Sequence, residues 1–386
     1  MRAFALGFSF LFVLAGGSVY GQDDPLIRTG SQHFRPYQYP NCPPGTYPLN
    51  PSDPSMPIDP KAPFDPKMPP DPKNPLTANP DLFAGATEAG TQPGAMFNAN
   101  MFGDLIGISG QRLVQGRQGS TPVALRGVTI PGRYNGFKIT DNESPRPIDR
   151  VYFSYNNFSN VNRTLLGPGA PSISMNQELL GFEKTFLNGD ASFGMRLPFV
   201  QQSGFNGVDS NVVGDLSFLF KFAWINNRDT GNIFSTGLVV TAPTGGGNSI
   251  LPDGTAAPHS TLFQPWAGFI YNLPNWYVQG FSSLVVPTDS RDPTIFFNSL
   301  SFGYWLYRNS GDRLLTGFVP VLEFHSNTPL NHNNQNDMIF FQEQLNITTG
   351  AYVLFPRMTL GAAVCVPVVS PRPYDIEAIV TLNFRF

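Results

Sequence analysis

DIEAIVTLNFRF, residues 375–386, runs with a period of two. Ile376, Ala378, Val380, Leu382, Phe384 and Phe386 are apolar, whereas Asp375, Glu377, Thr381, Asn383 and Arg385 between them are polar, Ile379 alone breaking the pattern. That period belongs to an extended strand with one oily and one wet face. A strand that closes the chain must find a partner edge, and a closed barrel supplies one by pairing its last strand with its first.

Eleven further stretches upstream read the same way. They are DRVYFSYNNF, QELLGFEKTFL, DASFGMRLPFV, GDLSFLFKFAWI, IFSTGLVVTAP, LFQPWAGFIYNL, WYVQGFSSLVVP, TIFFNSLSFGYWLY, RLLTGFVPVLEFH, EQLNITTGAYVLF and RMTLGAAVCVPVV. Most have about ten to fourteen residues, close to the ~9–11 needed to cross a bilayer at a tilt. Alternation is plain in the fourth, where Leu216, Phe218, Phe220, Phe222 and Trp224 oppose Asp215, Ser217 and Lys221. It is weaker in the second and seventh, and Pro265, Pro320 and Pro367 fall where a sheet wants a donor. Lys184 shares the apolar parity of the second strand, near a turn where its stem can snorkel.

The connections alternate too. SPRPY, HSNTPLNHNNQNDMIFFQ, PTDSRDP, TGGGNSILPDGTAAPHST, QQSGFNGVDSNV and SNVNRTLLGPGAPSISM are mostly long, whereas PR, RNSGD, LPN, NNRDTGN and NGD are short. Outer-membrane barrels place short turns in the periplasm and longer loops outside. Residues 149–386 are therefore expected to form an all-β, transmembrane, antiparallel up-and-down β-barrel of about 12 strands in the bacterial outer membrane, in contact with its lipid.

Composition agrees. Charged residues make up 13%, about half the ~25% of soluble domains, while Phe reaches 34 and Gly 38. The formal charge of −3 offers nothing to nucleic acid. At the other end, MRAFALGFSFLFVLAGGSVYG (1–21) has the layout of a secretory signal peptide. Residues 22–80, rich in Asp-Pro units, should form an extended, disordered periplasmic arm, since proline fixes φ and removes backbone donors. A solvated linker and a cell-wall tether both fit that arm. Within residues 81–148, MFGDLIGISG and TPVALRGVTI read as short strands and RYNGFKITDNESPRPI carries turn chemistry and charge without periodicity, and two placements stay open: a plug under or inside the barrel, or an extra hairpin. Cys42 and Cys365 lie in unlike regions and read as unpaired thiols.

The terminal Val380, Leu382, Phe384 and Phe386 resemble the recognition signal of outer-membrane assembly machinery. Residues from about 215 to 246 resemble the MetA-pathway of phenol degradation family of outer-membrane proteins. Gly214 and Asp215 stand before one strand, and Pro243, Thr244 and Gly245 after the next. The resemblance implies an outer-membrane barrel moving small, often apolar compounds.

No catalytic constellation emerges. Barrel hydrolases place a His and a Ser two apart on one strand face. Here His325-Ser326 and His259-Ser260 are adjacent and point to opposite faces. NHNNQND lacks the acidic spacing of a calcium loop, and TGGGNS lacks the Lys of a phosphate loop. No cofactor or metal is expected, and no enzymatic activity. By strand parity, Arg150, Arg196, Lys221, Glu323, His325, Gln344, Asn346, Glu377 and Arg385 should line the lumen, joined by Thr381 and Asn383. The expected function is passive passage of small solutes, including apolar or aromatic compounds. A structural or adhesive envelope protein tethered by the arm is the alternative, and a barrel-type lipid hydrolase the third.

Overall fold

The structure is a computed structural model and describes residues 100–104, 138–161, 174–203, 210–246, 258–309, 314–333, 339–370 and 372–386, with short strands between 111 and 129. The signal peptide, the Pro-rich arm and Cys42 lie outside the described residues.

Twelve long strands form a closed antiparallel barrel, as expected from the period of two. They are β1 (Arg150–Ser159), β2 (Ser174–Phe186), β3 (Ala191–Ser203), β4 (Leu216–Asn226), β5 (Ile233–Ala242) and β6 (Leu262–Asn272). β7 (Trp276–Pro287), β8 (Ile295–Tyr304), β9 (Gly317–Pro329), β10 (Gln344–Leu354), β11 (Met358–Pro367) and β12 (Ile376–Arg385) complete it. Each pairs with its neighbours in sequence, and β12 closes on β1 with Thr381 opposite Ser154 and Arg385 opposite Arg150. Short strands add to the rim: Ser210–Val213 pairs with β3, and Tyr307–Arg308 with β9.

Burial follows the alternation. Along β12 the pattern is strictly exposed, then buried, from Ile376 to Phe384. The outward face carries Leu180, Phe182, Phe220, Phe222, Trp224 and Val380, all exposed. An apolar surface of this extent is unfavourable in water and suited to hydrocarbon. The prolines are accommodated: pairing between β6 and β7 breaks between Phe263 and Trp266, at Pro265, which has no N–H to give. Lys184 reaches Asp149 at 2.5 Å and lies over the Phe386 ring.

Glycine explains how large inward aromatics fit. Tyr152 faces Gly181 across the β1–β2 pair, Tyr277 faces Gly303, and Tyr352 faces Gly361. A Cβ on Gly181 would stand 2.0 Å from the Tyr152 ring, so each ring occupies the space a side chain would take.

Inside the barrel runs chain that is not wall. Residues 100–104 and 138–144 pass each other antiparallel, bridged where the Met101 N–H donates to the Glu143 carbonyl at 2.8 Å. Asn100 lies near Asn383 at the short-turn end, and Asp104 near Asn346, closer to the long connections. Beyond them, Gln111–Val114 pairs with Arg126–Thr129 and with Ile339–Phe340 of the β9–β10 connection.

Candidate functional site in the barrel lumen

Two polar clusters and an apolar stretch join the inner segment to the wall. In the first cluster the Glu143 carboxylate is fully buried. It meets Nη2 of Arg150 at 2.7 Å, Nη2 of Arg196 at 2.7 Å and Nζ of Lys221 at 2.6 Å. Glu183 on β2 pairs with Arg150 Nε and Lys221 Nζ, each at 2.9 Å. The Tyr152 hydroxyl accepts from Arg196 Nε at 2.6 Å, and Gln279 donates to the Glu143 carbonyl at 3.1 Å.

The second cluster surrounds Asp104. Its carboxylate pairs with Lys138 and accepts from Asn327 at 2.9 Å and Asn346 at 2.8 Å. Glu323 accepts the backbone N–H groups of Phe102 and Gly103 at 2.9 and 3.0 Å, a two-pronged grip on the segment. Thr348 donates to the Gly103 carbonyl at 3.0 Å. His325 places Nδ1 2.9 Å from Ser299 Oγ and Nε2 3.3 Å from Glu323.

Between the clusters lies an apolar patch. Met101 and Ile139 pack with Leu219, Val239, Trp266 and Phe281, and Phe102 stacks on Tyr352 with centroids 4.1 Å apart.

Arg150, Arg196, Lys221, Glu323, His325, Gln344, Asn346 and Glu377 are all buried on the inward face. Glu377 stands apart from both clusters: it accepts from Asn156 at 2.6 Å and from Tyr374, whose hydroxyl lies 3.2 Å from buried Cys365. Arg385 is at the barrel end and donates to the carbonyls of Phe355 and Pro356 in the β10–β11 turn. Val380, Leu382, Phe384 and Phe386 are exposed on the outward face. Parity alone did not disclose Glu143, Asp104 and Lys138, which belong to no strand, nor the inward Tyr152, Trp266, Tyr277 and Phe281, whereas Tyr352 shares the polar parity of Gln344 and Asn346. A signal existed for Glu143 and Lys138: five charged residues, Asp141, Glu143, Arg146, Asp149 and Arg150, crowd the entry to the wall, with Lys138 just before them.

At the long-connection end, Asp215 accepts from the Gly245 N–H at 2.7 Å and meets His259 Nε2 at 2.8 Å, while Thr244 Oγ1 accepts from Leu216 at 2.9 Å. Burial pushes the Asp215 carboxyl above its ordinary range, against these hydrogen bonds. Asp215, Thr244 and Gly245 thus tie the β3–β4 and β5–β6 connections together. His259 and Ser260 have separate partners, Asp215 and Asp292. Among the described residues no group of three or more His, Cys, Asp or Glu is placed to hold a metal.

No protein-family model matches the chain, and no curated protein matches it in sequence. Among solved structures, an outer membrane channel from Pseudomonas putida F1 is 15% identical with a TM-score of 0.48, covering 62% of this chain and 96% of that one. The KdgM porin is 8% identical with a TM-score of 0.37, over 61% and 99%. LpxR from Salmonella typhimurium is 8% identical with a TM-score of 0.35, over 61% and 100%. Likenesses of this degree leave the task open, because one architecture serves unrelated functions.

Proposed function

We propose that this chain is an outer-membrane channel for passive passage of small solutes, apolar and aromatic compounds included, whose lumen residues 100–104 and 138–144 close. The observation that carries this is that the barrel interior is filled by chain other than its own wall. Twelve strands enclose more space than their side chains fill. A purely structural barrel would be steadier with an apolar filling, since buried ion pairs often contribute less than hydrophobic packing of the same volume. Here the filling is a separable segment held by hydrogen bonds and ion pairs that water and solute can replace. The outward apolar face supports insertion in lipid, and the terminal strand supports recognition by assembly machinery. The inward Trp266, Phe281 and Tyr277 support apolar solutes, in keeping with the phenol-degradation resemblance.

An enzyme is disfavoured by the environment of His325. Its partner Ser299 is buried within the lumen, while Ser326 takes the other face. Hydrolysis would need substrate to enter where the segment now sits.

Planar-bilayer conductance and liposome swelling test the channel. Wild type should give infrequent discrete openings, and Glu143→Gln, which weakens the segment's hold, more frequent ones. Absence of conductance and swelling from both, with the barrel folded, would sink the proposal.

A further inference from the structure

We infer that the three-cation pocket occupied by Glu143 is a binding site for organic carboxylates, so that the solute class is a small apolar acid such as an aromatic ring bearing one carboxylate. The inference deepens the channel proposal and rests on it for the solute's route, though not for binding.

Arg150, Arg196 and Lys221 come from β1, β3 and β4 and belong to the wall; Glu143 belongs to the segment. Of the two carboxylates in the cluster, only Glu183 stays with the wall when the segment moves. Three cations then face one carboxylate in a confined lumen, and such an imbalance favours capture of an anion. The pocket suits a carboxylate, because guanidinium groups donate in a planar fork. It is also preorganised: Tyr152, seated over Gly181, holds Arg196 Nε at 2.6 Å.

Charge is half of the match. Met101, hydrogen-bonded through its N–H to Glu143, packs with Leu219, Trp266 and Phe281. Leu219 and Lys221 are two apart on the inward face of β4, and Phe281 and Gln279 likewise on β7. The segment therefore presents a carboxylate and an apolar side chain side by side, to a wall shaped for both. A free aromatic acid has the same adjacency. Acetate would satisfy only the cations, and a neutral aromatic only the apolar wall.

The test uses full-length, refolded protein in detergent, with folding followed by heat-modifiable migration on gels. Glu143→Ala empties the pocket of its internal anion. Calorimetry should then show saturable benzoate binding, with benzamide about tenfold or more weaker, the scale of one lost charge-assisted hydrogen bond, and acetate weaker by about tenfold or more through loss of the ring's apolar burial. Adding Arg196→Gln should weaken benzoate by a similar factor. Equal affinity for benzoate and benzamide, equal affinity for benzoate and acetate, or indifference to Arg196→Gln would each overturn the inference. Should Glu143→Ala fail to fold, benzoate added to wild type should lower the hydrogen-exchange protection of residues 138–146 while benzamide does not; equal protection with both overturns it. Swelling of proteoliposomes in neutral sugars reads passage separately. Benzoate binding in a barrel that neither conducts nor admits sugar supports the pocket and sinks the channel, whereas conductance or swelling without benzoate preference does the reverse.

Discussion

A Cβ on Gly181 would fall 2.0 Å from the Tyr152 ring, and the Tyr152 hydroxyl is what holds Arg196 Nε. Gly181→Ala should therefore displace the ring and loosen Arg196, costing about 1–3 kcal/mol, the range for forced overpacking. Urea unfolding measured by intrinsic fluorescence would show it, whereas an unchanged midpoint would mean that the ring can move freely. Glu143 has the opposite logic, since its removal leaves charge behind. Glu143→Gln should destabilise the folded state by about 3–5 kcal/mol, as expected when one member of a buried ionic group is neutralised. The urea midpoint should fall with the slope unchanged. Both residues matter through neighbours distant in sequence.

Segments set these side chains in place. Residues 100–104 lie outside the barrel sheet, and two of their N–H groups, those of Phe102 and Gly103, take their acceptor from the wall at Glu323. Glu323→Ala leaves two buried donors without an acceptor. Hydrogen exchange at Phe102 and Gly103 should then quicken markedly, with the rates of β1–β12 little altered; slowed or equal exchange would show that other contacts retain the segment. β12 is the seam. Thr381 lies within it, opposite Ser154, and proline there removes a ladder donor and disturbs its neighbours. Thr381→Pro should abolish the compact, heat-modifiable band that a closed barrel gives on gels, and full retention of that band would contradict a seam at β1–β12.

At the scale of the molecule, the lumen is asymmetric. One side carries the Glu143 cluster on β1 to β4, another the Asp104 cluster on β8 to β10, with apolar wall between. The segment doubles back through this space, and its return leg runs into β1 at the short-turn end, where Arg146 donates to Gly231 in the β4–β5 connection. Movement of the segment would expose both clusters at once. Openings of the channel should then carry a selectivity that depends on Arg196. Reversal potentials in a salt gradient should shift towards cation preference in Arg196→Gln, and an unchanged potential would place the conducting path elsewhere.

Strand number, order and closure were legible in the sequence, as was the alternation of faces along strands such as β4, β10 and β12. The reason is local: an extended chain alternates its side chains, so a surface apolar on one side and polar on the other leaves a period of two in the residues themselves. Tertiary structure alone decided what fills the space those strands enclose. Glu143 and Lys138 have no periodicity to betray them, and the partners of Arg150, Arg196 and Lys221 depend on the axial height at which each inward residue stands. That height follows from register and from the path of a non-repetitive segment, neither of which local propensity encodes. The inward Tyr152 stayed hidden for the same reason, whereas Tyr352 was legible from the polar parity it shares with Gln344 and Asn346. Tyr152 finds its place only once Gly181, 29 residues away, has been brought beside it by strand pairing.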